Sequence, residues 1–404
     1  MIDVSILFEL FLMLLFGKIL GDIVHRLGFS PLIGQIIAGI LLGPMILQGV
    51  ALSPSLDELS NLGIIFMMFL MGLSVDFEKV MSENVYKASL ISICGGMLTF
   101  FAATTITTLL GFELNTALLV GISFISTSTA IGFMVLMDIG DDYSKVFKTV
   151  MAVGTTDDIL AILALAIFIA YINPNGTGVD LRSVVNLFLL LLGFIIFILW
   201  FGRSFSEKLI SMTVNSSDEQ SVISVSLIIL FLVAYLSDNI MGAAVTGAFL
   251  AGTILARSQF SHKIITPKIQ AISEGFFVPI FFVYTGVRIN FLQMVNSVPL
   301  NLMGINIPID VFLFLGLVMV VMTCKYVATY AATLILGGYR ASEINKISLA
   351  MMPMGEYTLV IGQIGLVSYG LLLAGMTSVY SVMALVVLVT SILTPILLRT
   401  AYEH

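Results

Sequence analysis

The sequence predicts an all-α protein that crosses a membrane about thirteen times. Hydrophobic residues make up 59% of its 404 residues and charged residues only 10%, against about 25% charged residues in soluble domains. The apolar residues fall into separate runs, each close to the ~20 residues that a membrane-spanning helix needs. Lysine and arginine also segregate between alternate loops, as membrane topology requires.

The thirteen apolar runs begin almost at the N-terminus. Neither a basic segment nor a small-residue cleavage site accompanies the first run, so we expect a retained helix and not a signal peptide. The predicted spans are 4–24, 32–49, 58–74, 86–110, 114–137, 147–172, 183–202, 221–237, 242–257, 271–286, 308–337, 346–369 and 377–398.

Alternate loops differ sharply in positive charge. With thirteen spans, one side of the membrane has only Arg182 and Arg288, and a miscounted helix would mix the two sides. The positive-inside rule therefore places the N-terminus outside and the C-terminus in the cytoplasm. The cytoplasmic loops and span ends carry Arg26, Lys79, Lys87, Lys145, Lys148, Arg203, Lys208, Arg257, Lys263, Lys268, Arg340, Lys346 and Arg399.

Two adjacent acids, Asp157 and Asp158, lie inside the sixth span. A carboxylate at the membrane centre costs at least ~2.5 kcal/mol, so we expect the pair to face a wet cavity and to meet cations or protons there. Lys325 lies in the middle of the eleventh span and needs an anionic partner. The candidates within the membrane are Asp157, Asp158 and Glu356.

The fifth and twelfth spans carry signs of interrupted helices. The fifth has four consecutive hydroxyl residues at 126–129, and such side chains can replace helical hydrogen bonds where a chain unwinds. The twelfth contains Pro353 and Gly355 just before Glu356, which favours a break followed by a second half-helix. Glu356 can serve either as the cap of that half-helix or in transport.

The helix order relates the two breaks. If thirteen helices divide into six, one and six, the interrupted spans are the fifth member of each half, and the odd offset of seven inverts one half. Interrupted segments at matching positions of inverted repeats are typical of a transporter binding site. We therefore predict six-helix inverted repeats whose two broken helices cross near the midplane, beside Asp157, Asp158 and Lys325.

Five motifs over nearly the whole chain resemble the second cation:proton antiporter family, which contains Na⁺/H⁺ antiporters and K⁺ efflux antiporters. These motifs are residues 34–44 (GQIIAGILLGP), 126–130 (STSTA), 155–158 (TTDD), 274–286 (EGFFVPIFFVYTG) and 353–358 (PMGEYT). The resemblance implies one integral membrane transporter over residues 1–404 that forms a homodimer in the bilayer. It further implies dimerisation helices at 1–85 and 221–290, a linker helix at 183–202, and ion-translocating core helices at 86–172 and 308–398.

Within that family, the Asp157-Asp158 pair with Lys325 is similar to the electrogenic type of Na⁺/H⁺ antiporter. The resemblance implies that Asp158 carries the exchanged Na⁺ or H⁺ and that Asp157 pairs with Lys325. The residues near the break that could add oxygen ligands are Thr127, Ser128, Thr129, Thr155 and Glu356. The resemblance therefore also implies that the protein exchanges Na⁺ or Li⁺ for H⁺ by alternating access and that it lies in the plasma membrane of a prokaryotic cell.

Other functions stay open or are disfavoured. A K⁺/H⁺ antiporter of the same family and a Na⁺-coupled organic-anion symporter of related fold remain alternatives. An intramembrane aspartyl protease is disfavoured because its acids lie on separate helices in Gly-x-Gly-Asp motifs, and repeated filter sequences of a channel are missing. We expect no enzymatic activity, no cofactor and no nucleic-acid partner. We also expect no attached cytosolic nucleotide-binding domain, since the sequence ends soon after the last span.

Overall fold

The computed structural model describes residues 4–74, 85–141, 144–172, 193, 219–241, 244–256, 258, 260–302, 305–369 and 376–403. These residues are almost entirely helical. We label the helices α1 Val4–Arg26, α2 Pro31–Leu42, α3 Pro54–Leu73, α4 Val85–Leu109, α5 Leu114–Ser123, α6 Thr129–Asp138, α7 Lys145–Ile172, α8 Glu219–Met241, α9 Ala244–Ala256, α10 Thr266–Ile272, α11 Val278–Arg288, α12 Phe291–Val295, α13 Ile309–Leu336, α14 Ala341–Ala350, α15 Glu356–Tyr369 and α16 Met376–Glu403.

Twelve of the predicted spans have a helical counterpart in the described part of the chain, and the seventh, 183–202, lies outside it. Seven of these counterparts are long and apolar enough to cross a membrane, and α2, α5 and α9 are shorter apolar helices. The fifth span is divided into α5 and α6, and the twelfth into α14 and α15. The prediction of an all-α, multi-pass architecture with breaks in the fifth and twelfth spans is confirmed.

Two predicted boundaries were wrong by seven residues or more. The second span ends at Leu42 and not at residue 49, because Gly43 is extended and Pro44 has no N–H to continue the helix. The tenth span begins at Ser261 and not at residue 271. Its polar first part was missed by an apolar count, and two π-helical turns, Ser261–Ile265 and Ser273–Phe277, flank α10 there.

A short antiparallel ribbon between α12 and α13 was not predicted. Strand β1 covers Pro299–Leu302 and strand β2 covers Ile305–Pro308, and Pro299 is opposite Pro308 in the register. The two prolines lie at the open end of the ribbon, where a missing N–H does not interrupt the ladder. The ribbon leads directly into α13, which runs unbroken from Ile309 to Leu336.

Contacts divide the chain into two units. The first consists of Met1–Leu10, Leu52–Phe77 and Ile162–Phe282, and the second of Phe11–Ala51, Glu78–Ala161 and Val283–His404. All of the predicted site residues belong to the second unit. A hydrophobic core in that unit joins helices α4, α6, α7, α13, α14 and α16 and includes the buried residues Ile91, Val135, Val150, Ile347 and Leu398.

Paired glycines bring helices into backbone contact within each unit. In the first unit, a Cβ on Gly72 of α3 would lie 2.1 Å from the Phe249 carbonyl oxygen, and a Cβ on Gly252 of α9 would lie 2.2 Å from the Phe69 carbonyl oxygen. In the second unit, a Cβ on Gly39 of α2 would lie 1.8 Å from a carbonyl oxygen of α11. Small residues allow this close approach between membrane helices.

The glycine contacts repeat with the predicted offset of seven helices. The second span meets the tenth through Gly39 and Gly286, and the ninth meets the third through Gly252 and Gly72. Another glycine stands five residues before Gly39 and before Gly252, and each packs against the preceding long helix, α1 or α8. The same spacing in both halves supports the six-helix repeats.

We expect Gly39→Val and Gly252→Val each to lower the free energy of unfolding, because the added side chain must push two backbones apart. Overpacking of this kind costs roughly 1–3 kcal/mol, which thermal unfolding in detergent micelles can detect. Gly275→Val is the matched control, since a Cβ there meets nothing within 4 Å. Equal melting temperatures for all three variants would contradict the packing role.

Candidate functional site

The two helix breaks contact each other. The first break joins α5 to α6, and the second joins α14 to α15. The backbone N–H of Ser128 in the first donates to the Pro353 carbonyl oxygen in the second at 2.8 Å, and Thr358 Oγ1 donates to the Ser123 carbonyl oxygen at 2.9 Å. A Cβ on Gly355 would lie 2.4 Å from Ser128 Cβ. Glycine is therefore required where the two unwound segments cross.

Asp157 and Lys325 form a buried ion pair beside this crossing. Lys325 Nζ lies 2.8 Å from Asp157 Oδ2, and the two side chains are 1% and 0% exposed. The ammonium also donates to the Ile125 carbonyl oxygen at 2.6 Å, a group that the first break releases from helical bonding. Ser92 Oγ donates to Asp157 Oδ1 at 2.5 Å and Thr127 Oγ1 to Oδ2 at 2.7 Å. Three donors therefore share the Asp157 carboxylate.

Asp158 has a different environment from its neighbour. Ser126 Oγ donates to Asp158 Oδ1 at 2.6 Å, and no other hydrogen bond to this carboxylate is made among the described residues. Asp158 is 8% exposed, whereas Asp157 is completely buried. Asp158 therefore keeps more acceptor capacity for an ion than Asp157, whose oxygens already receive three donors.

Glu356 is the third buried acid of the site. It is the first residue of α15, where a carboxylate is favourable at the positive end of the helix dipole. Ser128 Oγ donates to Glu356 Oε2 at 3.1 Å. The first break thus supplies a hydroxyl to each acid, Thr127 to Asp157, Ser126 to Asp158 and Ser128 to Glu356.

Two of the predicted ligands lie apart from this arrangement. Thr155 Oγ1 donates to the Met151 carbonyl oxygen of its own helix at 2.9 Å and bonds to no acid among the described residues. Thr129 begins α6, and its side chain lies outside the described residues. The role of each as an ion ligand stays a prediction.

Ser92 was missed by sequence reasoning, because α4 carries several hydroxyl residues that look alike. Thr99 and Thr107 donate to carbonyl oxygens four residues earlier in the same helix, whereas Ser92 donates across to α7. The available signal was Gly95, one turn later. A Cβ there would lie 3.6 Å from the Lys325 stem, so this face of α4 closes one side of the ion-pair site.

The second break is held by hydroxyls that the sequence did not single out. The backbone N–H of Met354 donates to Thr390 Oγ1 at 3.1 Å, and Ser391 Oγ donates to the Met354 carbonyl oxygen at 3.4 Å. Both residues belong to α16. The unwound backbone is therefore satisfied by side chains, as a buried break requires.

The arrangement brings carboxylate, hydroxyl and carbonyl oxygens to one point within the membrane-spanning helices. Such oxygens are the ligands that a hard cation prefers, and a carboxylate can also carry a proton. A single Asp158 side chain can thus bind either a cation or a proton. The sequence predicted this convergence from the two breaks, the adjacent acids and the lysine.

Known proteins resemble this chain over nearly its whole length. The family model for the transmembrane sodium/hydrogen exchanger matches residues 11–402. The chain is 29% identical over 397 residues to the Na⁺/H⁺-K⁺ antiporter GerN of Bacillus cereus, covering 98% of this chain and 96% of the relative. It is 25% identical over 436 residues to the high-affinity Na⁺/H⁺ antiporter NhaS3 of Synechocystis, covering 99% and 90%.

A solved structure shares the fold. The sodium proton antiporter MjNhaP1 of Methanocaldococcus jannaschii superimposes with a TM-score of 0.70 at 16% identity, and the match covers 99% of both chains. Because the family model spans almost the whole sequence and includes both breaks, both aspartates and Lys325, the chain belongs to the transmembrane sodium/hydrogen exchanger family.

Proposed function

We propose that this protein exchanges Na⁺ for H⁺ across the membrane, with Asp158 as the group that carries each ion in turn. The observation that carries the proposal is the unequal pair of acids at the crossed breaks. Asp157 is held by Lys325 and two hydroxyls, while Asp158 receives one hydroxyl from Ser126. Asp157 therefore already accepts three hydrogen bonds, whereas Asp158 can still bind a transported ion.

Competition for one carboxylate couples the two ions. When Asp158 is ionised it can hold Na⁺, with oxygens of the first break completing the coordination. When it is protonated, the cation is excluded. Alternating access of this site to the two sides then lets the gradient of one ion drive the other, and no group needs to bind both at once.

Lys325 makes a second charge available to the exchange. Its ammonium and Asp157 cancel each other when paired. If Na⁺ draws Asp157 away from the lysine, the Lys325 ammonium can release its own proton in addition to the proton of Asp158, and the exchange of two H⁺ for one Na⁺ moves net charge. We therefore propose electrogenic transport, with Asp157 as a further Na⁺ ligand.

We propose Na⁺ in preference to K⁺ because the Asp157-Asp158 pair with Lys325 is similar to the electrogenic type of Na⁺/H⁺ antiporter. The name of GerN includes K⁺ as well as Na⁺. Faster proton exchange with K⁺ than with Na⁺ or Li⁺ would overturn the choice of ion and leave the site intact.

The setting of the transporter is part of the proposal. We propose a homodimer in a prokaryotic plasma membrane with the N-terminus outside and the C-terminus in the cytoplasm. The excess of Lys and Arg on one set of loops supports this orientation. Helices within 1–85 and 221–290 would form the dimer, and those within 86–172 and 308–398 would carry the ions. No cofactor and no chemical catalysis are needed.

We expect Asp158→Asn to abolish Na⁺-dependent proton movement, because an amide can neither carry the exchanged proton nor offer two anionic oxygens. Liposomes that contain the protein and a pH dye, given a pH gradient and then Na⁺, measure this directly. Asp238→Asn is the control for loss of one carboxylate, since Asp238 is exposed at the end of α8. Normal exchange by Asp158→Asn would refute the mechanism.

Removing one charge of the buried pair should destabilise the protein more than removing both. Lys325→Gln leaves Asp157 without its ammonium partner, and breaking a buried pair costs about 3–5 kcal/mol. We therefore expect a lower melting temperature for Lys325→Gln than for the double variant Asp157→Asn/Lys325→Gln, in which no charge is left unpaired. Equal melting temperatures would mean that the pair is not coupled in the folded protein.

Electrogenic exchange should depend on voltage. With two H⁺ for one Na⁺, net positive charge follows the protons, so an inside-negative potential should speed H⁺ uptake and Na⁺ efflux. A potential of 100 mV supplies about 2.3 kcal/mol per charge. Initial rates in liposomes clamped with valinomycin and K⁺ test this, with Asp158→Asn liposomes as the background. Rates independent of the imposed voltage would indicate one-for-one exchange.

A further inference from the structure

Residues in the middle of helix α16 bind the second break. Thr390 and Ser391 bind the backbone N–H and the carbonyl oxygen of Met354, two residues before Glu356. The same helix packs into the core that contains residues of α6, α7 and α13. The ion site is therefore attached to α16, and a displacement of α16 carries the second break with it.

One end of α16 is bonded to α11. The hydroxyl of Tyr380 lies 3.0 Å from Thr285 Oγ1 on α11 and 3.3 Å from Gln363 Oε1 on α15, and all three side chains are completely buried. The tyrosine ring lies against Gly362, where a Cβ would be 3.0 Å from the ring. This hydrogen bond closes the space between α11 and the α15–α16 pair.

The other end of α16 is bonded to the turn between α1 and α2. Arg399 Nη2 donates to the Gly28 carbonyl oxygen at 3.0 Å and lies 3.2 Å from Asp138 Oδ2 at the end of α6. Gly28 has a φ of +81°, and a Cβ there would lie 2.5 Å from the guanidinium. Only glycine allows the arginine to come this close to the turn.

The two contacts lie near opposite ends of α16 and share one partner, and in the proposed orientation Tyr380 is nearer the outer face and Arg399 nearer the cytoplasmic face. Tyr380 and Arg399 are nineteen residues apart in a continuous helix, which is about 28 Å of rise and close to the ~30 Å of the hydrocarbon core. Thr285 lies on α11, and Gly28 lies in the turn that leads into α2. Helices α2 and α11 are themselves in backbone contact through Gly39 and Gly286. The pair therefore meets α16 at both ends.

We propose that Tyr380–Thr285 and Arg399–Gly28 are two latches, one at each membrane face, and that each open state of the transporter breaks one of them. The inference rests on the proposed exchange by alternating access. Loosening one latch removes stabilisation from the state closed at that face, so the population shifts toward the state open there. Because a molecule that is open at one face is closed at the other, the opposite face is then closed in a larger share of the molecules.

Hydrogen exchange in lipid nanodiscs tests this without any transport assay. We expect Tyr380→Phe to speed amide exchange at residues 283–290 and to slow it at 27–30, and Arg399→Gln to do the reverse. Thr285→Val removes the same latch from the other side and should reproduce Tyr380→Phe. Loosening confined to the mutated face, with no slowing at the other, would overturn the proposal.

A transport assay is the second test, and the two variants should change its result in opposite directions. The Na⁺ concentration for half-maximal exchange is measured from the outer face in right-side-out vesicles and from the inner face in everted vesicles. We expect the outer-to-inner ratio to fall about threefold for Tyr380→Phe and to rise about threefold for Arg399→Gln, the range for one hydrogen bond. The double variant should return toward the wild-type ratio.

Each control makes the same kind of chemical change as a latch variant, at an exposed position away from the latches. Tyr235→Phe removes a tyrosine hydroxyl from an exposed position on α8, and Lys148→Gln removes an exposed positive charge from α7. Both should keep the wild-type ratio. A shift of the same direction in both latch variants would overturn the latches, whereas wild-type vesicles without Na⁺/H⁺ exchange would instead count against the proposed function.

Discussion

The buried ion pair of Asp157 and Lys325 is the constraint on which the rest of the site depends. Removing two charges from water costs several kcal/mol per ion, which is recovered only if the geometry is good and the remaining hydrogen-bonding groups are satisfied. Here Ser92 of α4, Thr127 of the first break and the Ile125 carbonyl oxygen complete the shell. Four helical elements are thereby fixed around one charge pair.

The breaks follow from this requirement. A regular helix uses its own carbonyl oxygens and leaves none for an ammonium, so the fifth span must unwind near Ile125 to supply one. Unwinding releases further backbone groups, which the crossing then satisfies through Ser128 and Pro353. Because the exposed backbone of each break faces the other, neither break would be stable in a lipid environment alone. The crossed arrangement and the ion pair stabilise each other.

Much of this site could be predicted from the sequence, because its features are costly in a membrane. Adjacent acids, a lysine in the middle of a span and a proline before a glutamate have few structural explanations there. Ser92 could not be predicted, since it is a hydroxyl residue in the same helix as Thr99, whose hydroxyl donates to its own helix. The early end of α2 was signalled by Gly43-Pro44, but an apolar count alone passes over it. The β-ribbon depends on pairing between short segments, for which no periodic signal exists.

The two repeats show how one charged site arises from a nearly symmetric frame. In each half, two adjacent polar residues of the sixth helix bind the break of that half. In the first half these are Asp157 and Asp158, and in the second they are Thr390 and Ser391. The shared glycine contacts keep the frames alike, whereas carboxylates at these positions in one half and hydroxyls in the other place the acids on one side of the crossing. With acids at these positions in both halves, four such carboxylates would meet at the crossing together with Glu356 and one lysine. Mutual repulsion would then oppose the burial that a compact cation site requires.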